Sequence, residues 1–411
     1  MGAGTVIRFR LCFTALSVLS AAVVGGLPGT SGSAFAAACA IPKGVYAAST
    51  PWAQRQLDLP AVATLSAGTG QRIAVIGTGI DASNPQFAAG QVLAGQDVRA
   101  GGSARTDCDG RGTFAAGIIG AQADPRTTIV GVAPAAQLIP IRYTQSGSDD
   151  NATATLPSRL ASAFDVAVAA HAGIIEVAVP VTVDSAALRA AVARAVRAGV
   201  LVVSPAAAAK AGESTYPTSY PGVVAVAGVR ADGSVSTVES GSYLAISAPG
   251  NDLAGLAAGS KGALGHLWPA NDPSFAAAYV AGVLADVASY LPRLSRAQVL
   301  ARVLATSGSS DGRRDDRVGW GLIDPVRALT AELPTDVSPQ SMAGRPVVVA
   351  GSVPLARPVR ASTPTGRRAG YLAAGGLTVA LVIGLAAAAI RRGQRRGWRA
   401  ERAKLPAGSA R

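Results

Sequence analysis

The chain is short of histidine, cysteine and unbalanced charge. Its 411 residues include two histidines, His171 and His266, and three cysteines. Two imidazoles leave almost no supply of neutral-pH bases. The formal charge of +13 suggests a polyanion partner, but its distribution removes that reading. Residues 1–36 carry +2, 333–368 carry +4 and 391–411 carry +7, whereas 37–332 hold 22 basic and 22 acidic side chains. The central part has no basic excess, and nucleic acid is not an expected partner. Internal repeats are absent too, which excludes a solenoid.

The excess charge follows a topology. Arg8 and Arg10 precede an apolar run from Leu11 to Val24, and small residues end in Ala34-Phe35-Ala36. That is the layout of a secretory signal peptide over 1–36, with a run short for a membrane span. Residues 369–390 contain no charge and are long enough to cross a bilayer. Arg391, Arg392, Arg395, Arg396 and Arg399 follow at once, so the basic tail 391–411 is expected in the cytoplasm and the bulk of the chain outside. Six prolines and five arginines mark 333–368 as a linker. An arm at 37–56 and a globular unit at 57–332 remain. Cys12 leaves with the leader, so Cys39 and Cys108 are the one pair in an exported domain. A bridge between them would close a loop of about 70 residues and contribute roughly 4 kcal/mol; two free buried thiols are the alternative.

Inside the unit, near-continuous apolar strands at 72–80, 137–144, 174–181, 200–206, 223–229 and 243–250 are separated by helical stretches such as 155–173 and 185–199. This pattern predicts a three-layer α/β fold with a parallel sheet covered on both faces. Ser295 and Gln298 form a capping box before the last long helix.

One stretch is odd. In "DCDGRGTFAAGIIG" (107–120), Asp109 is a plausible N-cap and Thr113 to Ala121 a helix, so Arg111 meets the positive end of the helix dipole. Taken in order, "RIAVIGTGID", this stretch, "SYPGVVAVAGV" and "DPSFAAAYVAGVLA" resemble the subtilisin-like serine proteases. "PWAQRQL", "VGWGLIDPVRAL", the cysteine pair, the leader and the C-terminal span narrow the resemblance to the mycosins, the membrane-anchored subtilases of type VII secretion systems. The resemblance implies a subtilisin-like fold plus one C-terminal transmembrane helix. It also implies a place at the cell membrane beside type VII secretion membrane subunits, and no cofactor or metal.

In such proteases an Asp orients a His, the His takes the proton of a Ser, and the Ser attacks the peptide carbonyl. Position by position, the Asp place falls on Gly77, the His place on Arg111, the Ser place on Ser274, and the oxyanion Asn place on Ala208. Arginine cannot accept a proton in a protein, glycine offers no carboxylate, and a serine without a base is a weak nucleophile. Loss of a triad's function costs about 10⁶ in turnover. Ser274 also has a plain reading, with Asp272 as N-cap and Pro273 at the first helical position. A rebuilt site would need His266, placed in a glycine-rich loop, or a Lys210 dyad. His171 reads as a satisfied histidine and Asp81 as a turn-capping carboxylate. Arg111 either pairs with Asp107, Asp109 or Asp272 or stays solvated. Only about 20 residues separate Ala36 from the core, too few for an independently folded inhibitor. The expected chain is an inactive, membrane-anchored homologue with a structural role or an affinity for extended peptides; an endopeptidase using Ser274 with His266 is the alternative.

Overall fold

The computed structural model describes residues 39–147, 155–308, 313–333, 387–388 and 390–393. The expected leader, and the expected linker, span and tail except for residue 333 and those between 387 and 393, lie outside them. Among the described residues no helix is long and apolar enough to cross a membrane.

Seven strands form one parallel sheet: β1 (Arg72–Gly77), β2 (Gln96–Asp97), β3 (Gln137–Arg142), β4 (Ile174–Val177), β5 (Leu201–Pro205), β6 (Val223–Val229) and β7 (Leu244–Pro249). Their spatial order is β2-β3-β1-β4-β5-β6-β7, and every pairing is parallel. The strands are buried on both faces, as their apolar runs require. Helices α4 (Leu156–Ala169) and α5 (Ala186–Arg197) cover one face, sharing a core with Ala74, Ile76, Ile175, Val177 and Val202. On α5 the buried residues Leu188, Ala191, Val192 and Ala195 recur at helical spacing, and the Ser185 side chain caps the start. The other face is covered by α2 (Leu59–Leu65), α3 (Arg111–Gly120), α6 (Ala276–Tyr290), α7 (Arg296–Thr306) and α8 (Pro325–Thr330), packed on Ile73, Val75, Val203 and Val226. A short α1 (Trp52–Gln56) precedes α2. The subtilisin-like α/β architecture expected from sequence is present, with shorter strands than the apolar runs suggest.

Two features differ from the sequence expectation. The helix after the arginine turn begins at Arg111, with Gly110 as its N-cap at φ 92°, so Asp109 lies one residue before the cap. His266 is not in a loop. It opens β9 (His266–Ala270), which pairs antiparallel with β8 (Leu253–Leu256). Glycines flank this hairpin and hide its short strands from periodicity. The N-terminal arm then adds to β9: Lys43 N–H donates to His266 O at 2.9 Å and His266 N–H to Gly44 O at 2.8 Å. At the other end of the domain, the Arg302 guanidinium of α7 donates to the carbonyls of Ala328, Leu329 and Ala331, closing the C-terminus of α8.

Two of the buried carboxyls, Glu176 on β4 and Asp286 on α6, are completely shielded from solvent. Neither Glu176 oxygen has a hydrogen-bond partner among the described residues. Burial pushes Glu176 up from 4.5 to about 8 and Asp286 up to about 7. A carboxyl whose folded pKa is raised binds its proton more tightly folded than unfolded. Its contribution is complete below the unfolded value and is lost as pH climbs through the folded one. The thermal midpoint should therefore fall between about pH 5 and about pH 9, and Glu176→Gln should flatten that fall. A wild-type decline that the variant reproduces in full would refute the assignment; differential scanning calorimetry measures both.

Candidate active site

The site lies at the C-terminal edge of the sheet, where chain order reverses on either side of β1 and an α/β fold opens a crevice. Its first half is the turn at 107–111. Cys39 and Cys108 form a disulfide across 69 positions, and Ala40 N–H donates to Cys108 O at 2.7 Å. Asp107 is buried beneath the turn and accepts from Gly110 N–H and Thr113 N–H at 2.8 Å each and from the Thr113 hydroxyl at 2.7 Å. Burial raises its pKa, against the pull of those bonds. The Gly112 N–H donates to Thr78 Oγ1 at 3.0 Å, fastening the helix start to the end of β1.

The second half is a 3-10 turn, Pro273–Phe275, leading into α6. Asp272 caps it, with Oδ1 accepting from Ser274 N–H at 2.9 Å. Arg111 joins the halves. Its Nη1 donates to Asp272 Oδ2 and, at 3.0 Å, to Ser274 Oγ. Its Nε is 3.8 Å from Asp109 Oδ1, and the guanidinium carbon lies 5.8 Å from the Phe275 ring centre. Burial pushes the Asp272 carboxyl up, but the Arg111 charge and the Ser274 bonds outweigh it and hold its pKa below the ordinary value. Of the three aspartates expected as partners, Asp272 and Asp109 take the cation while Asp107 serves the turn. Ser274 itself is 2% exposed.

The remaining candidates do other work. Gly77 ends β1, its carbonyl accepts from Tyr143 N–H at 3.0 Å, and a Cβ there would lie 3.1 Å from that of Ala178. The Ala208 N–H donates to Glu239 Oε2 at 2.9 Å. Glu239 is buried and also accepts from Thr215 N–H, the Thr215 hydroxyl and the Tyr243 hydroxyl. Sequence reading missed this network; the signal available was one acid in a stretch of small residues. His266 does not form the pair with Ser274 considered from sequence. Its Nδ1 accepts from Tyr46 N–H at 2.9 Å and its Nε2 meets Gln86 Oε1 at 2.6 Å, so both ring nitrogens serve the arm and the core. Burial pushes its pKa down to about 4. Lys210 is exposed, 3.9 Å from Glu213, and His171 is exposed just past α4. Asp81 accepts from Ser83 and, at 2.8 Å, from Gly259 N–H, a turn carboxylate as expected. Among the described residues no group of three or more His, Cys, Asp and Glu is placed to hold a metal ion.

The fold and the helix-start serine define a class, and comparison with known proteins agrees. The model of the subtilase family matches residues 68–321. Mycosin-1 of Mycolicibacterium smegmatis is 33% identical over 339 residues, which span 70% of this chain and 74% of that protein. The structure of MycP3 protease from the type VII (ESX-3) secretion system superposes with a TM-score of 0.63 at 28% identity, over 72% of this chain and 93% of the other. A chain in the intact ESX-5 inner membrane complex gives a TM-score of 0.62 at 26% identity, over 87% and 94%. The chain therefore belongs to the subtilase family, in its mycosin branch.

The turn depends on Asp107 more than on Arg111. Asp107→Ala strands three buried donors and should destabilise the domain by about 2 kcal/mol or more. Arg111→Gln removes the cation from a pair whose side chains are 22% and 27% exposed but leaves an amide in its place, and should cost less, about 1–2 kcal/mol. Chemical denaturation of the two variants measures the ranking, and a larger loss for Arg111→Gln would overturn it.

Proposed function

We propose that this chain is a catalytically inactive mycosin-type subtilase, a membrane-anchored structural or peptide-binding component of a type VII secretion membrane complex. In this reading Gly77, Arg111, Ser274 and Ala208 occupy the Asp, His, Ser and oxyanion Asn positions of an active relative. Residues 1–36 are the leader, 37–56 the arm, 57–332 the peptidase-like domain, 333–368 the linker, 369–390 the span and 391–411 a cytoplasmic tail. The partner follows from relatives described as parts of ESX systems and of an ESX-5 inner membrane complex.

The observation that carries the inactivity is the bond from the Arg111 guanidinium to Ser274 Oγ. A permanent donor stands where a general base is needed, and it lowers the electron density on the oxygen that would attack. The site for stabilising an oxyanion is weakened as well. Ala208 has no side-chain donor, and the Ser274 N–H is already spent on Asp272. Removing one oxyanion donor costs about 10²–10³ in turnover. A groove of this family that does not cut remains able to hold an extended chain, which is why peptide binding stays beside scaffolding.

The full chain, purified in neutral detergent, should not react with a fluorophosphonate probe. Gly77→Asp with Arg111→His should stay unlabelled too, because Ala178 crowds the new carboxylate and Asp272 still holds the Ser274 N–H. Stoichiometric labelling of Ser274 in the wild-type protein would sink the proposal.

A further inference from the structure

Of the two histidines, His171 is exposed and His266 is fully enclosed. The partners of the His266 ring fix where its proton sits, and Gln86 decides it. The Gln86 Nε2 donates to Gln122 O at 2.7 Å and to Ile129 O at 2.9 Å, so the amide orientation is set and Oε1 is the atom that faces the ring. An amide oxygen only accepts, so His266 Nε2, 2.6 Å away, carries the proton. Nδ1 is therefore bare, and its lone pair takes the Tyr46 N–H at 2.9 Å.

That bond sits in a segment tied at both ends. The arm begins at the Cys39–Cys108 disulfide and runs into α1, where Trp52 Nε1 donates to Asn251 O at 2.9 Å. Between these ties, Lys43 and Gly44 share backbone bonds with His266, and Lys43 Nζ donates to Trp268 O at 2.9 Å. The Tyr46 ring meets the Trp268 ring edge-on at 5.3 Å, and the Thr127 hydroxyl donates to Tyr46 O at 2.6 Å. Ile41, Lys43 and Val45 are exposed, so the segment is held more by these bonds than by apolar burial.

A second proton on the ring must go to Nδ1. It would set one N–H against another at the Tyr46 contact and place a charge in an enclosed site. The charge within reach is Asp124, in the loop after α3, and Arg126 already pairs with it at 2.7 Å. The turn at 84–87, β8 and the rest of β9 contain no titratable residue. On the arm, Lys43 faces Trp268 and the Tyr46 hydroxyl donates to Ser49 O at 3.2 Å. Burial holds the enclosed ring at about 4 against the pull of Asp124, whereas water reaching the ring restores its ordinary 6.5. Attachment is therefore complete above pH 6.5 and is lost progressively as pH falls toward 4.

We propose that His266 is an acid-released latch on the N-terminal arm. With Nδ1 bare it holds the segment 41–50 against β9. With Nδ1 protonated it lets that segment lift as a bow, still tied by the disulfide and by α1, and the edge of β9 beneath it is uncovered.

The test uses the full chain in neutral detergent. Hydrogen exchange read by mass spectrometry, corrected for the intrinsic rate at each pH, follows peptides covering 41–50 and, as an internal control, α6. Protection of the arm should fall about tenfold per pH unit from 6.5 toward 4, while α6 stays protected. His266→Asn keeps an acceptor oxygen near the place of Nδ1 and takes no proton there, so its arm protection should not change over that range. Ring-nitrogen NMR shifts of the labelled wild type need no variant, and at neutral pH they should show Nε2 protonated and Nδ1 bare. Arm protection that is flat with pH in the wild type, a fall shared by α6, an equal fall in His266→Asn, or a protonated Nδ1 at neutral pH overturns the latch.

Discussion

One cation joins the two halves of the candidate site. Arg111 stands at the first residue of α3, and Asp272 and Ser274 stand where the chain enters α6. Both helices lie on the same face of the sheet, each fixed by its own apolar contacts. In the proposed reading, an active relative bridges the same junction with a base that must release and recapture a proton. A guanidinium makes the bridge permanent. Asp109 and Asp272 neutralise it, and Phe275 lies beside it. The surrounding devices, from the Asp107-capped turn to the disulfide, hold the two ends of this link in place.

Much of the fold was legible because its strands are apolar throughout and its helices keep their period. The runs at 72–80 and 174–181 pointed to buried parallel strands, and β1 and β4 are those strands. The capping box at Ser295 and Gln298 is present with both of its bonds. The hairpin of β8 and β9 was not legible. Its strands are four and five residues long and pair with an irregular register, and the arm adds to β9 from more than two hundred positions away in sequence. Long-range pairing of this kind leaves no local pattern.

Ordered motifs marked Arg111, Gly77 and Ser274 as candidates, and the structure joins Arg111 to Ser274. What could not be read was how the polar atoms are shared. Asp107, Asp109 and Asp272 look equivalent in sequence, yet one is buried under backbone donors and two hold the arginine. Nor does sequence show that the Ser274 N–H is consumed by its own cap, or that His266 is held by the arm. Each depends on three-dimensional competition for donors, which spacing along the chain does not encode.

The closure of α8 by Arg302 bears on mechanics. The chain leaves the domain just after Ala331, whose carbonyl is one of three held by that guanidinium. Arg302 sits within α7, and α7 is packed into the main core through Val299, Val303 and Leu304. A pull on the chain beyond residue 333 is therefore shared with α7 and does not fall on the last turn of α8 alone. Unwinding α8 would require three hydrogen bonds to an embedded side chain to break together. The domain thus has a strain relief at the point where any tether would load it.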